Sequence, residues 1–339
     1  MKTAYQAYGL TIASSVEIPA LRSAVLNNVI HPDVYFQIGV PPPEWAAQAL
    51  ELRGKPLPTD RPAGTSPDSF KLTEHGEGRF FQLAYGDGTR FLVDERATRI
   101  WGEAGPGLTD GDVFVYLLGP VMGFVLRRRG RAPLHASSVV IGDRAVALVG
   151  MPGAGKSTTA AMLALRGWPV LCEDICSLQE TDGEIHVLPG YSWICLWPES
   201  VNMLYGSPDA LPLIVAGWSK RYLALDGGHC KFSTASSPLK AIYFLAARSG
   251  EAAAPCLKPI TRREAVPLLA QNTYMNYLLS NEQRAVEFDA ITNLASRVEC
   301  LQITPSSNPV RLGEMASLIE SDALRRSSFV SPVPERCGG

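Results

Sequence analysis

Apolar positions along this chain follow two rhythms, and the change comes near residue 110. Before it they fall in short runs rich in β-branched and aromatic side chains. Residues 7–20 are apolar and β-leaning, and Asp33-Val34-Tyr35-Phe36-Gln37-Ile38 reads as a strand that Pro41-Pro42-Pro43 stops. Residues 51–69 are polar and proline-bearing. Residues 80–85 and 89–93 flank Gly86-Asp87-Gly88, the turn chemistry of a β-hairpin. The pattern predicts a small, mostly antiparallel β domain over residues 1–108, suited to act as a substrate platform.

Beyond it the spacing lengthens to that of helices. Residues 113–128 are predicted as an apolar helix with Asp110 as its N-cap. Residues 135–141 and 145–149 are apolar strands around Gly142-Asp143, a hairpin whose second arm runs into a glycine-rich loop. Ala, Leu and Met recur over residues 156–166, a helix closed by Gly167, and Pro169-Val170-Leu171-Cys172 is a short strand ending in Glu173-Asp174. A further hairpin is expected about Asp182-Gly183, strands over 239–246 and 300–303, and helices over 263–279, 282–297 and 312–324. This alternation predicts an α/β domain over residues 109–325, followed by a flexible Ser- and Pro-rich tail over 326–339.

Composition narrows the function classes. The 339 residues are 46% hydrophobic and 19% charged, the balance of a folded protein with a large core. Lys and Arg number 31 against 33 Asp and Glu, so no global basic field exists to hold nucleic acid. The longest apolar stretch, residues 113–126, is broken by Gly119-Pro120 and falls short of the roughly 20 residues that cross a bilayer. Arg127-Arg128-Arg129-Gly130-Arg131 after it reads as a solvated helix end, with contact to anionic lipid or an acidic peptide as the alternative. The first residues lack the apolar core of a signal peptide, and the 7 cysteines contain no C-x-x-C pair, which predicts reduced thiols in a cytoplasmic protein. Trp193, Trp197 and Trp218 read as core, with the lining of a peptide groove as the alternative, and neither a zinc site nor a G-x-S-x-G elbow finds support.

The chemistry concentrates in one loop. Gly150-Met151-Pro152-Gly153-Ala154-Gly155-Lys156-Ser157, followed by Thr158, satisfies G-x-x-x-x-G-K-[ST] and lies between an expected strand and an expected helix. Glycines there let backbone N–H groups turn toward phosphate oxygens, Lys156 neutralises the β- and γ-phosphates, and Ser157 is a ligand for Mg²⁺. The expected ligands are ATP and Mg²⁺. Such a loop needs an acid at the end of a neighbouring strand, and Glu173-Asp174 answers that need. Adjacent carboxylates divide the labour, one holding the metal and the other accepting the proton of an attacking hydroxyl. Lys220-Arg221 are candidate cations for the transferring group, with a solvated loop as the alternative.

His135-Ala136-Ser137, residues 150–158 and Arg166-Gly167-Trp168-Pro169-Val170-Leu171-Cys172-Glu173-Asp174 together resemble the HPr kinase-like family of serine kinases. Weaker likenesses at Tyr8-Gly9-Leu10-Thr11-Ile12-Ala13-Ser14, Leu196-Trp197-Pro198 and Pro238-Leu239-Lys240-Ala241-Ile242-Tyr243 resemble a subgroup that includes lasso-peptide precursor kinases. The resemblance implies an α/β P-loop nucleotide-binding domain of the HPr kinase-like type. It implies Mg²⁺ on Ser157 and Asp174, a general base at the first acid position, and His135 beside the phosphates. That first position is Glu173 here where the family usually has Asp, so the base assignment stays open between Glu173 and Asp174.

The function expected is an ATP- and Mg²⁺-dependent kinase acting on a serine hydroxyl of a peptide, with a lasso-peptide precursor as the particular substrate. The alternatives are a nucleotide-sensing regulatory or assembly module, an HPr-type protein serine kinase, and an ATPase. Expected partners are a peptide or protein with an acceptor serine; association into a homo-oligomer stays open.

Overall fold

The computed structural model describes residues 3–39, 54–57 and 69–327. The proline stop at 41–43, most of the polar stretch 51–69 and the tail from residue 328 lie outside the described residues. Within them, the first region forms one sheet. Its strands are β1 (Thr3–Ala7), β2 (Leu10–Ser14), β3 (Val25–Leu26), β4 (Val34–Ile38), β5 (Gly54–Pro56), β6 (Phe70–His75), β7 (Phe80–Tyr85), β8 (Arg90–Asp94) and β9 (Arg99–Glu103). They lie in the order β3-β1-β2-β4-β9-β8-β7-β6-β5. Pairing is antiparallel except where β4 joins β2 and β9, both in parallel.

Two short helices follow in place of the single predicted one, α1 (Asp110–Tyr116) and α2 (Met122–Arg128). Between them Gly119 leaves helical angles and Pro120 removes a donor, so the ladder breaks. The N-cap is Thr109 rather than Asp110: the Thr109 backbone N–H and hydroxyl both donate to Asp112 Oδ2, at 2.9 and 2.8 Å, closing a capping box. Val113, Leu117, Met122, Phe124 and Val125 are buried with Phe36, Leu83, Phe91 and Ile100 of the first sheet. The helices assigned by their spacing to residues 109–325 therefore share a core with the sheet before them.

The second sheet carries the glycine-rich loop. It uses β10 (Leu134–Ile141), β11 (Arg144–Val149), β12 (Val170–Cys172), β13 (Ile175–Cys176), β14 (Leu178–Thr181), β15 (Glu184–Val187), β18 (Ser237–Leu245), β19 (Cys256–Pro259) and β20 (Glu299–Thr304). A separate ribbon pairs β16 (Trp193–Leu196) with β17 (Arg221–Ala224). β11 runs parallel to β18 and β18 parallel to β20, while β10 and β11 form the predicted hairpin. The remaining helices are α3 (Lys156–Leu165), α4 (Pro198–Tyr205), α5 (Arg262–Gln271), α6 (Asn281–Arg297) and α7 (Leu312–Ser327).

Alternation along β11 explains the layers. Val146 and Leu148 face a cluster with Ala160, Leu163 and Ala164 of α3 and Ile319 of α7. Ala145, Ala147 and Val149 face another with Leu269 of α5 and Ile291 and Leu294 of α6. A strand buried on both faces reads as a continuous apolar run, and each such Val or Leu contributes roughly 1.5–3 kcal/mol. The loop at the end of β11 is thus mounted on a strand packed on both faces.

The predicted helix over 263–279 is shorter. Helix α5 stops at Gln271, and residues 272–275 turn away, with Met275 in the left-handed region at φ 55°. His135 N donates to Asn272 O at 2.7 Å, and Tyr274 N donates to Pro133 O at 2.8 Å. The departure ties this turn to the start of β10.

Candidate active site

The glycine-rich loop spans residues 150–155, between the buried end of β11 and the first turn of α3. Gly153 and Gly155 have φ of +81° and +104°, values that disfavour any side chain. A Cβ on Gly150 would come 3.0 Å from Leu245 O, so that glycine is required by close approach to β18. The loop leads into the positive end of α3, an arrangement whose backbone amides are able to cradle an anion. Lys156 lies inside it with 7% exposure, donating to Gly150 O at 2.7 Å and Met151 O at 3.4 Å. Burial lowers its pKa, an effect opposed by the charges of Asp174 and Glu173. Met151 itself is exposed.

Glu173 and Asp174 separate because the backbone turns between β12 and β13. Both strands pair with β10, and Asp174, at φ 65°, occupies the left-handed conformation that Asp tolerates better than most residues. Consecutive side chains therefore meet different partners. Ser157 Oγ donates to Glu173 Oε1 at 2.7 Å, and Tyr191 OH donates to Glu173 Oε2 at 3.0 Å. His135 Nδ1 lies 3.1 Å from Asp174 Oδ1, and Tyr274 OH donates to Asp174 Oδ2 at 2.8 Å. The acid in contact with Ser157 is Glu173, whereas Asp174, the metal ligand that the resemblance implies, is partnered by His135 and Tyr274.

Their electrostatics differ accordingly. Burial raises the Glu173 pKa, helped by the neighbouring Asp174 charge and opposed by Lys220, Ser157 and Tyr191. Burial also acts to raise Asp174, but the His135 contact, the Tyr274 hydroxyl and the Lys220 charge outweigh it and hold that carboxyl at about 2. One acid is a reluctant anion beside a hydroxyl, the other a firm anion beside an imidazole.

A cleft of about 450 Å³ brings these groups together with Pro152, Gly153, Gly155 and Thr158. Lys220 reaches it, its ammonium 4.9 Å from the Trp197 ring centroid, whereas Arg221 is drawn aside by an ion pair with Asp209 and a bond to Leu211 O. Trp197 is 54% exposed at this cleft, not core. Thr158 Oγ1 lies 2.8 Å from Ser200 Oγ. Gly155, Thr158 and Arg248 also line an adjoining cavity of about 250 Å³ with Ala154, Pro305 and Asn308. Arg248, Ser200, Tyr191 and Tyr274 were not singled out from sequence. Arg248 carried a signal, a cation just past a strongly apolar strand; Tyr191 and Tyr274 carried none.

The arginine cluster is also corrected. The Arg127 side chain is 7% exposed, forms a buried ion pair with Glu287, and donates through Nε and Nη2 to Tyr274 O at 2.8 and 2.6 Å. Glu287 Oε1 in turn accepts from Thr273 Oγ1 at 2.6 Å. Helices α2 and α6 thereby clamp the turn that carries Tyr274 to Asp174.

No family model matches the chain. A 73-residue stretch is 45% identical to shikimate kinase from Rhodopseudomonas palustris, covering 18% of this chain and 36% of that protein. The chain thus spans about a third of the length of this curated relative. Among solved structures, the HPr(Ser) kinase/phosphatase from Coxiella burnetii aligns over 58% of this chain and 93% of that one, at 14% identity and a TM-score of 0.31. Both matched proteins are kinases by name. Among the described residues no helix is long and apolar enough to cross a membrane.

Proposed function

We propose that this chain is a P-loop phosphotransferase that moves the terminal phosphoryl group of ATP onto a serine hydroxyl of a peptide or protein. The observation that carries the reading is the 2.7 Å bond from Ser157 to Glu173 at the mouth of the loop, beside an Asp174–His135 pair partnered separately. Local identity to a small-molecule kinase supports phosphoryl transfer. The serine acceptor, and a lasso-peptide precursor as the particular substrate, rest on the sequence resemblance around His135 and residues 150–174.

Ser157 Oγ and Glu173 Oε1 are hard oxygen donors in contact, a pair that would hold Mg²⁺. The ion supplies charge neutralisation along the β- and γ-phosphates when bound. Loop amides and Lys156 hold the phosphate chain, and the adjoining cavity by Arg248 takes the nucleoside end. Asp174 holds His135 through Nδ1, and on this reading His135 Nε2, in place of the Glu173 or Asp174 carboxylate that the resemblance implies, accepts the proton of the serine hydroxyl. The serine oxygen bonds to phosphorus as the bond to the leaving diphosphate breaks. Lys220 and Arg248 offset the charge on the transferring group.

The test is incubation with ATP, Mg²⁺ and serine-bearing peptides, including lasso-peptide precursors, with detection of a phosphate mass increment. Lys156→Ala abolishes the increment on this reading. Phosphate release that needs no acceptor would instead identify an ATPase, and ATP binding with neither product would overturn phosphoryl transfer.

A further inference from the structure

A second cavity adjoins the candidate active site at Cys195. Its volume is about 250 Å³, and its walls come from Ala20, Phe114 and Leu118 on one side and Tyr191, Trp193 and Cys195 on the other. The two groups belong to different regions of the chain, so the pocket exists only because α1 packs beside the ribbon of β16 and β17. Trp193 is held by a stack on Tyr222, ring centroids 3.9 Å apart and planes 19° apart, which fixes that wall.

Two residues connect it to the chemistry. Cys195 lines both this cavity and the cleft that holds His135, Glu173 and Asp174. Tyr191 lines the cavity with its ring and spends its hydroxyl on Glu173 at 3.0 Å. A molecule whose hydroxyl sits at His135 in the cleft has this cavity beside it, next to Cys195. None of the six wall residues named is charged, so the pocket selects by apolar contact and rejects a charged side chain through desolvation.

We infer that this cavity is the specificity pocket of the acceptor, taking one large apolar side chain next to the phosphorylated serine. The inference rests on the kinase reading for the words acceptor and serine, while the pocket itself rests on its walls and its junction at Cys195. Its size and uncharged lining suit a branched aliphatic or aromatic group, and a preference of tenfold or more over alanine is the scale that one such burial provides.

The test uses the full chain and two probes, N-acetyl-phenylalanyl-serine amide and N-acetyl-alanyl-serine amide, with binding measured by calorimetry and turnover measured separately with ATP and Mg²⁺. The phenylalanyl peptide is expected to bind at least tenfold more tightly. Val115→Phe fills the cavity from α1 and Ile214→Phe from outside that helix. Either variant that retains a cooperative melt should bring the two affinities together. Equal affinities in the unaltered protein, or a preference that survives both substitutions, would overturn the proposal. So would binding of N-acetylphenylalanine amide as tight as that of the dipeptide, which would assign the cavity to a separate apolar ligand. A phenylalanyl peptide that binds with the expected preference yet gains no phosphate supports the pocket and counts against the kinase. Phosphorylation of both peptides at equal kcat/KM does the reverse.

Discussion

Ser157 and Glu173 meet at 2.7 Å, hydroxyl to carboxylate, joining the first turn of α3 to the end of β12. The contact sets the two acids in different trades. Glu173 has the serine and Tyr191 as donors and lies 5% exposed, so it is a carboxylate kept in an apolar wall for what it binds. Asp174 is kept ionised by partners that orient it.

Glu173→Gln follows from that division. A buried carboxylate with a raised pKa costs stability while ionised, and the amide removes that cost. The variant should be more stable at neutral pH by about 1 kcal/mol and slower in Mg²⁺-dependent transfer by about a hundredfold or more. The sign with pH is fixed: the folded pKa lies above the unfolded value, so the unaltered protein gains stability as pH falls toward 4.5 and the variant does not. Thermal melts from pH 7 to 4.5, paired with Mg²⁺ titrations of activity, check both halves. A loss of stability in the variant at pH 7 would contradict the assignment.

Tyr274→Phe isolates the orientation of Asp174. The ring stays packed and one donor at 2.8 Å is lost, which costs about 1 kcal/mol. Asp174 should rise from about 2, because burial then meets less opposition from hydrogen bonding. A depressed carboxyl stabilises the fold above its unfolded pKa and loses that contribution as pH falls through its folded one. The stability gap between the two proteins should therefore narrow between pH 4 and 2. Carboxyl ¹³C shifts of Asp174 give the pKa directly; an unmoved value would show that Tyr274 plays no part in holding it.

How much of this was written in the sequence depends on distance along the chain. The glycine-rich loop, its helix and the acid pair lie within 25 residues and carry local signals, and the strand–loop–helix–strand order was readable. Which acid faces Ser157 was not, because a single positive φ at Asp174 decides it and no composition announces that angle. Tyr274 lies 100 positions from Asp174, and Arg127 lies 147 from the carbonyl it holds. Helical spacing over 263–279 then misled, since the chain leaves the helix at Gln271 to satisfy those distant partners. Arginines after an apolar helix read as solvated for the same reason: a buried counter-charge contributed by another helix leaves no trace nearby.

The Arg127 and Glu287 ion pair makes a quantitative case. Both side chains are under 10% exposed, and burial lowers the Arg127 pKa to about 10, with Arg284 adding to the shift. Arg127→Met strands Glu287 and leaves Tyr274 O without its two donors, which should cost about 3–5 kcal/mol. The double change Arg127→Met with Glu287→Met removes both charges and should recover at least half of that loss. Denaturant melts of the four proteins of the cycle measure the coupling. Its absence would make the pair two independent surface charges, against their burial.

Lys220 is the cation whose role a kinetic split can decide. It stands over the exposed Trp197 ring, lines the cleft with both acids, and lowers the pKa of each. Its surroundings are open enough that Lys220→Met should change stability by no more than about 0.5–1 kcal/mol, the scale of an exposed cation–π contact. A charge aimed at the transferring group acts mainly when negative charge moves there, so kcat should fall roughly 10- to 100-fold while KM for ATP changes by less than about threefold. Lys220→Arg should restore part of kcat by restoring the charge. If KM for ATP rises and kcat holds, Lys220 binds the donor and Arg248 is left as the cation at the transferring group. If neither moves, the lysine serves Trp197 alone.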